Sequence, residues 1–156
     1  MIRLTIRSPI GPLTVTEEDD AIVALDFADK RGKDETPLLK RARTELDEYF
    51  SRKRQSFGLP LRLGGSSFQR AVWKRMLAIP YGETESYGQV AKALGSAPRA
   101  VGGACGANAI PIFVPCHRIV GAGGSLGGYS GGSGRPIKIA LLELEGGRGR
   151  DLLSER

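Results

Sequence analysis

The sequence predicts a two-part fold, with a small α/β unit over residues 1–63 and a mainly α unit over residues 66–156 that contains a helix-turn-helix. Three observations support this prediction. Apolar and polar residues alternate in short runs near the N-terminus, as they do in half-buried strands. Two later segments begin with Ser followed by Gln three residues on, a signature of a helix start. Gly64-Gly65 lies between these two patterns and is the predicted boundary.

The first unit is predicted to be an antiparallel meander followed by one helix. Strands are expected over residues 2–7, from Leu13 onward and over 21–27, with turns between them. Thr36 and Pro37 suit the N-cap and first position of a helix. A last strand is expected at 57–63. Since no candidate active site is found in this unit, we interpret it as a support for the second unit.

The second unit is predicted to begin with three helices. Ser66 and Ser86 each open one, and the second of these ends at Gly95. Pro98 then opens a third helix over 99–107. Two helices joined by a short turn with a glycine form the outline of a helix-turn-helix, which is typical of DNA binding.

The third helix is unusually rich in very small residues, although each glycine costs about 1 kcal/mol relative to alanine. Two explanations are open. The small residues allow either close packing against a neighbouring helix or entry of the helix into a narrow DNA groove. The residues concerned are Ala100, Gly102, Gly103, Ala104, Gly106 and Ala107.

The candidate for chemistry is the segment Pro115-Cys116-His117-Arg118, which holds the only histidine and one of two cysteines. A cysteine is a good nucleophile as a thiolate, and an imidazole is a common acceptor of its proton. Neighbouring side chains on a strand point to opposite faces, so cooperation requires a backbone turn or a bridging water. The alternative is a buried structural cysteine beside a surface histidine.

A carboxylate on the last helix is the candidate partner of the histidine. That helix is predicted over 137–145, and Glu145 shares one face with Leu141 and Leu142. A buried carboxylate needs a partner, and His117 is the candidate. The alternative is that Glu145 lies at the edge of this face and reaches solvent.

Composition limits the partners and the compartment. The net charge of +6 favours a polyanion such as nucleic acid, although a merely basic protein would share it. No apolar run reaches about 18 residues, so no membrane span is expected. Cys105 and Cys116 lack metal-ligand spacing, and with one histidine we expect no metal and no cofactor. The N-terminus does not form a signal peptide, so we expect a cytoplasmic protein without a disulfide.

A nearly continuous run of motifs extends from Phe68 to Gly146: Phe68-Gln69, Ile79-Pro80-Tyr81-Gly82, Ser86-Tyr87, Arg99-Ala100-Val101-Gly102, Gly106-Ala107-Asn108, Pro115-Cys116-His117-Arg118, Gly128-Tyr129-Ser130-Gly131-Gly132 and Glu145-Gly146. In these motifs the chain resembles the O6-alkylguanine-DNA alkyltransferases, also called methylated-DNA–protein-cysteine methyltransferases. The resemblance implies a ribonuclease H-like domain with a three-stranded antiparallel sheet and a helix, followed by a winged helix-turn-helix domain.

The resemblance also implies a reaction. A monomer binds duplex DNA through the minor groove and flips out an alkylated guanine. It then moves the alkyl group from O6 to Cys116, irreversibly and once per molecule, with O4-alkylthymine as a second candidate substrate. His117 is the implied base, acting through a water, and Glu145 orients it. Tyr87 is implied to hydrogen-bond a ring nitrogen of the leaving guanine, and Asn108 to brace the turn at the active site. Arg99 fills the gap in the duplex, and other implied DNA or base contacts are Ala100, Gly102, Ile119, Gly127, Tyr129 and Ser130.

Two departures and two alternatives accompany this resemblance. The segment from Tyr87 to Arg99 is about two residues shorter than is common in the family, and the loop at 133–137 is slightly longer. One alternative is a lesion binder like the alkyltransferase-like proteins, which carry tryptophan where this chain has Cys116. The other is a helix-turn-helix regulator whose cysteine is structural.

Overall fold

The computed structural model describes residues 1–121 and 135–146 and divides the chain into two compact units, Met1–Gly64 and Gly65–Arg156. A three-stranded antiparallel sheet with a helix forms the first unit, and helices dominate the second. The predicted fold class is therefore confirmed. Within the described ranges, no helix has the length and apolar character needed to cross a membrane.

The first unit contains the predicted meander, whose three strands lie in sequence order, with an irregularity at Thr16/Glu17 in the register between the second and third strands. Leu4 pairs with Val15, which pairs with Leu25, so apolar side chains stack across the sheet. The helix begins with Thr36 as N-cap, whose hydroxyl accepts from the amide of Leu39. The elements are β1 (Ile2–Ile6), β2 (Leu13–Glu18), β3 (Ala21–Asp26) and α1 (Pro37–Phe50).

The strand predicted at 57–63 is wrong. Only an isolated bridge forms there, between Leu61 and Ile22. Ile22 donates to the carbonyl of Pro60 and accepts from the amide of Arg62. Because Pro60 has no amide hydrogen to donate to a ladder, the alternating apolar pattern does not extend into a strand.

The second unit contains the predicted helix-turn-helix, formed by α3 (Tyr87–Leu94) followed by α4 (Pro98–Gly106). Both capping boxes are present, at Ser66 with Gln69 and at Ser86 with Gln89. Gly95 ends α3 in the left-handed conformation, at φ +64, which glycine adopts without steric cost. The elements are α2 (Ser67–Leu77), β4 (Glu85–Ser86), α3 (Tyr87–Leu94), α4 (Pro98–Gly106), a 3-10 turn (Cys116–Arg118), β5 (Ile119–Val120) and α5 (Arg135–Leu144).

A small parallel sheet connects the helix-turn-helix to the cysteine segment. Glu85 of β4 pairs with Ile119 of β5, and Ser86 pairs with Val120. Since Tyr87 directly follows β4 and Cys116 lies shortly before β5, this pairing draws the start of α3 toward the cysteine. The fold thereby assembles residues that are distant in sequence.

Candidate active site

The cysteine is preceded by a tight turn that Asn108 braces. The Asn108 side chain donates from Nδ2 to the carbonyl of Val114 at 3.0 Å and accepts at Oδ1 from the amide of Ile110 at 2.9 Å. Ile112 has φ +73, a strained conformation for a β-branched residue. The carbonyl of Val114 also accepts from the amide of Cys116 at 2.8 Å. Asn108 thus holds the backbone that presents the cysteine.

Cys116, His117 and Arg118 form one 3-10 turn. The backbone turn that adjacent cooperation requires is therefore present, and the three side chains are buried. Cys105 and Cys116 are not joined in a disulfide. Because the segment is a turn and not a strand, Cys116 and His117 are not forced to opposite faces.

Glu145 lies directly against the histidine, as its helix face predicted. Its Oε2 is 2.8 Å from His117 Nε2, and both side chains are buried. Arg118 donates two hydrogen bonds to the same carboxylate, with Nε 2.9 Å from Oε1 and Nη2 3.0 Å from Oε2. The pairing of Glu145 with His117 is confirmed, and the alternative of a solvent-facing carboxylate is excluded.

The electrostatics of this trio favour a neutral histidine beside an ionised carboxylate. Burial lowers the pKa of His117, and this outweighs the opposite effect of Glu145. Burial would raise the pKa of Glu145, but the contacts with His117 and Arg118 more than offset it and hold that pKa low. A carboxylate accepts hydrogen bonds, so Nε2 carries the imidazole proton and Nδ1 has a lone pair. Nδ1 is buried and has no partner among the described residues.

A second group of titratable side chains surrounds the cysteine. Burial, followed by the charges of Cys105 and Cys116, raises the pKa of Tyr87 to about 12. Burial also lowers the pKa of Lys138 to about 8 and, with Cys116, raises that of Cys105 to about 12. Lys138 Nζ lies 5.7 Å from the centre of the Tyr87 ring and donates to the carbonyl of Ile119 at 2.6 Å. Tyr87 therefore keeps its phenolic proton at neutral pH and is able to donate it.

The small-residue helix α4 presents an open face. Arg99 and Ala100, at its start, are exposed. A side chain added at Gly103 or Gly106 would meet nothing within 4 Å, and one at Gly102 would only touch Tyr87 at 4.0 Å. Among the described residues, these glycines are therefore not explained by packing against another helix.

Some predicted site residues lie outside the described ranges, namely Gly127, Tyr129 and Ser130, as does the start of the 133–137 loop. Within those ranges no group of three or more His, Cys, Asp or Glu side chains is placed to hold a metal ion.

Sequence reasoning missed three residues of the site: Tyr81, Arg118 and Lys138. The Tyr81 ring centre is 5.8 Å from the Arg118 guanidinium, and its hydroxyl donates to the carbonyl of Leu144 at 3.2 Å. Lys138 is seven residues before Glu145 on the same helical face, a spacing that could have revealed it. No sequence signal indicated that Arg118 is buried.

Because His117 is neutral in the folded protein, the stability of the fold should decrease as the pH falls below neutrality. The folded protein keeps His117 neutral, whereas the unfolded chain takes up a proton below about pH 6.5. Because the folded pKa is depressed, this contribution is full above that pH and is lost as the pH falls. We expect the melting temperature to decline between pH 7.5 and 5.5, measured by thermal unfolding. The His117→Gln variant should lack this slope, and equal slopes in both proteins would contradict the neutral assignment.

Known proteins resemble the chain over both of its units. The model of the 6-O-methylguanine DNA methyltransferase ribonuclease-like domain matches residues 1–63, and that of the DNA binding domain of the same protein matches residues 67–147. A methylated-DNA–protein-cysteine methyltransferase of Bacillus subtilis, described as constitutive, is 43% identical over 90% of this chain and 93% of its own. The Mycobacterium bovis protein of the same name is 45% identical over 92% of each chain.

A solved structure is also similar. The crystal structure of Mycobacterium tuberculosis OGT in complex with DNA superposes with a TM-score of 0.83 at 42% identity, covering 94% of this chain and 93% of that one. Fold and site together define a helix-turn-helix protein with a cysteine, a histidine and a glutamate grouped in its core. The chain belongs to the 6-O-methylguanine DNA methyltransferase family.

Proposed function

We propose that this chain repairs DNA by irreversible transfer of an alkyl group from O6-alkylguanine to Cys116, as a methylated-DNA–protein-cysteine S-methyltransferase. The observation that carries the proposal is the turn that places Cys116 beside the buried His117–Glu145 pair. The names of the relatives and the DNA complex support the same activity. O4-alkylthymine is a second candidate substrate.

His117, Cys116 and Tyr87 each have a separate role in the proposed reaction. His117, neutral with a lone pair on Nδ1, takes the proton of Cys116 through a bridging water. The thiolate sulfur then attacks the alkyl carbon, a carbon–sulfur bond forms, and the carbon–oxygen bond breaks with its electron pair moving to the guanine. Tyr87 donates to a ring nitrogen of the leaving base and stabilises the developing negative charge. The product thioether has no route back to a thiol, so each molecule acts once.

We further propose that α4 enters the minor groove of duplex DNA. That groove is about 6 Å wide, too narrow for an ordinary helix. The open face at Gly103 and Gly106 lets the backbone approach closely. Ser130 and the carbonyls of Cys116 and Ile119 contact the edge of the flipped base, and Tyr129 and Gly127 line the pocket that receives it. In this proposal residues 66–156 bind DNA and transfer the alkyl group, and residues 1–63 support them. The protein acts as a monomer in the cytoplasm, on the DNA of the cell.

Replacing Arg99 by alanine should slow repair in duplex DNA about 10–100-fold and leave repair of free O6-alkylguanine base unchanged. Flipping a base out of the stack costs a few kcal/mol, and an inserted guanidinium keeps the vacated space filled. Single-turnover rates at saturating duplex measure the effect. The control is Lys92→Ala, which removes an exposed charge from α3 and should leave the saturated rate unchanged. Equal losses on duplex and free base would remove the intercalating role of Arg99.

The test of the proposed function is stoichiometry. Duplex DNA carrying labelled O6-methylguanine should lose its label to the protein at one methyl per molecule, with no further turnover. Binding without label transfer would support the lesion-binding alternative. Preference for one DNA sequence, again without transfer, would support a regulator.

A further inference from the structure

The Arg118 side chain is buried, and each of its three guanidinium nitrogens makes a hydrogen bond. Its Nε and Nη2 bond the two oxygens of Glu145, at 2.9 and 3.0 Å, while Nη1 donates to the carbonyl of Ile79 at 2.7 Å. The guanidinium carbon lies 5.8 Å from the centre of the Tyr81 ring. Only 8% of the Arg118 side chain and 1% of the Glu145 side chain are exposed. This is a fixed, desolvated pair with both partners satisfied.

The pair shares its carboxylate with the histidine. Glu145 Oε2 receives both Arg118 Nη2 and His117 Nε2. Because arginine is always charged, Glu145 is already neutralised by one buried cation. A proton on His117 would place a second positive charge against the single carboxylate of Glu145. Such an uncompensated buried charge is strongly disfavoured.

The groups around His117 act in opposite directions. Glu145 favours the imidazolium, whereas burial and the positive charges of Arg118 and Lys138 oppose it. Cys116 adjoins the histidine in the same turn and is the group whose proton it would accept. Arg118 hydrogen-bonds the same carboxylate as the imidazole, whereas Lys138 donates to the carbonyl of Ile119.

On the basis of the proposed function, we propose that Arg118 is a positioning residue for alkyl transfer. It fixes both oxygens of Glu145 and supplies a permanent positive charge that, together with burial, keeps His117 neutral, and so able to accept the Cys116 proton, in the resting protein. Arg118 touches neither the base nor the sulfur in this role and acts through Glu145. It therefore sets the charge state of the pair before substrate arrives.

The single histidine makes a direct test possible, because its imidazole resonances in an NMR spectrum report on His117 alone. In the native protein we expect a neutral imidazole at pH 7 with its proton on Nε2. In Arg118→Met the carboxylate loses its permanent cation while the imidazole stays buried, so the pKa of His117 should rise from its native value toward its ordinary value of about 6.5. In Arg118→Lys the charge remains, so His117 should stay neutral. The control Arg75→Met breaks a similar two-bond contact with Glu85 and should not change the titration.

Transfer rates across pH give a second readout. For Arg118→Met the rate at low pH should rise about tenfold per pH unit until it passes the new His117 pKa. For Arg118→Lys one ammonium cannot bond both carboxylate oxygens and the Ile79 carbonyl, so the rate should fall by the same factor at every pH. A merely structural role for Arg118 predicts this uniform loss for both variants.

Two outcomes would overturn the proposal. One is an imidazolium in the native protein at pH 7, a result that requires no variant to fold. The other is an unchanged His117 titration in folded Arg118→Met. The titration needs no alkylated DNA, so failure of the native protein to accept a methyl group would count against the proposed function and not against this assignment.

Discussion

Replacing Cys116 by alanine is expected to abolish alkyl transfer to the protein while leaving binding to alkylated duplex DNA intact. The variant has no sulfur to attack the alkyl carbon, and a water or another side chain does not replace a thiolate in that position. Binding should persist because the proposed DNA-binding surface is that of α4, which the substitution does not touch. Loss of label from O6-methylguanine DNA measures transfer, and a mobility shift measures binding.

The matched control is the other cysteine of the chain. Cys105→Ala should keep full transfer, because burial raises the pKa of this thiol to about 12 and keeps it protonated at neutral pH. Transfer that survives in Cys116→Ala but disappears in Cys105→Ala would move the nucleophile to Cys105.

Replacing Glu145 by glutamine should have the second-largest effect. Arg118 would remain buried without its carboxylate, which typically costs about 3–5 kcal/mol out of a total of about 5–15 kcal/mol. The imidazole would lose its anionic partner, and transfer should slow about 100-fold, toward the lower end of what general-base catalysis contributes. Denaturant unfolding and single-turnover transfer rates measure the two effects separately.

The stability difference between the native protein and Glu145→Gln should change with pH, because the pKa of Glu145 is low in the folded native protein. A depressed carboxyl pKa contributes stability above the unfolded value of about 4.3, and that contribution is lost as the pH falls below it. The stability gap between native protein and Glu145→Gln should therefore narrow in acid. Glu143→Gln removes the same charge from the last turn of α5, two residues before Glu145, and should change stability by less than about 0.5 kcal/mol. Equal losses in both variants would contradict a special role for Glu145.

Much of the site could be predicted because its key contacts obey local rules. The Ser-Gln pairs at 66/69 and 86/89 are capping boxes whose hydrogen bonds form within one turn. The helical face of Glu145 indicated burial, and burial required a partner among few candidates. One histidine in the chain reduced that choice to His117.

Other features depend on distant contacts that a sequence does not display. Arg118 looks like any basic residue until Glu145, 27 residues away, is placed against it. The strand expected at 57–63 had the right alternation, yet Pro60 cannot supply a ladder donor, so the pattern failed. The positive φ of Ile112 is likewise set by the turn that Asn108 braces, since no glycine marks the position.

The most direct measurement of the central claim is mass spectrometry of the native protein after incubation with duplex DNA that contains O6-methylguanine. The intact mass should rise by one methylene group, and peptide mapping should place the added methyl on the peptide that contains Cys116 and not on the one with Cys105. The DNA should contain unmodified guanine in equal amount. An unchanged protein mass, or a methyl group on any other residue, would contradict transfer to Cys116.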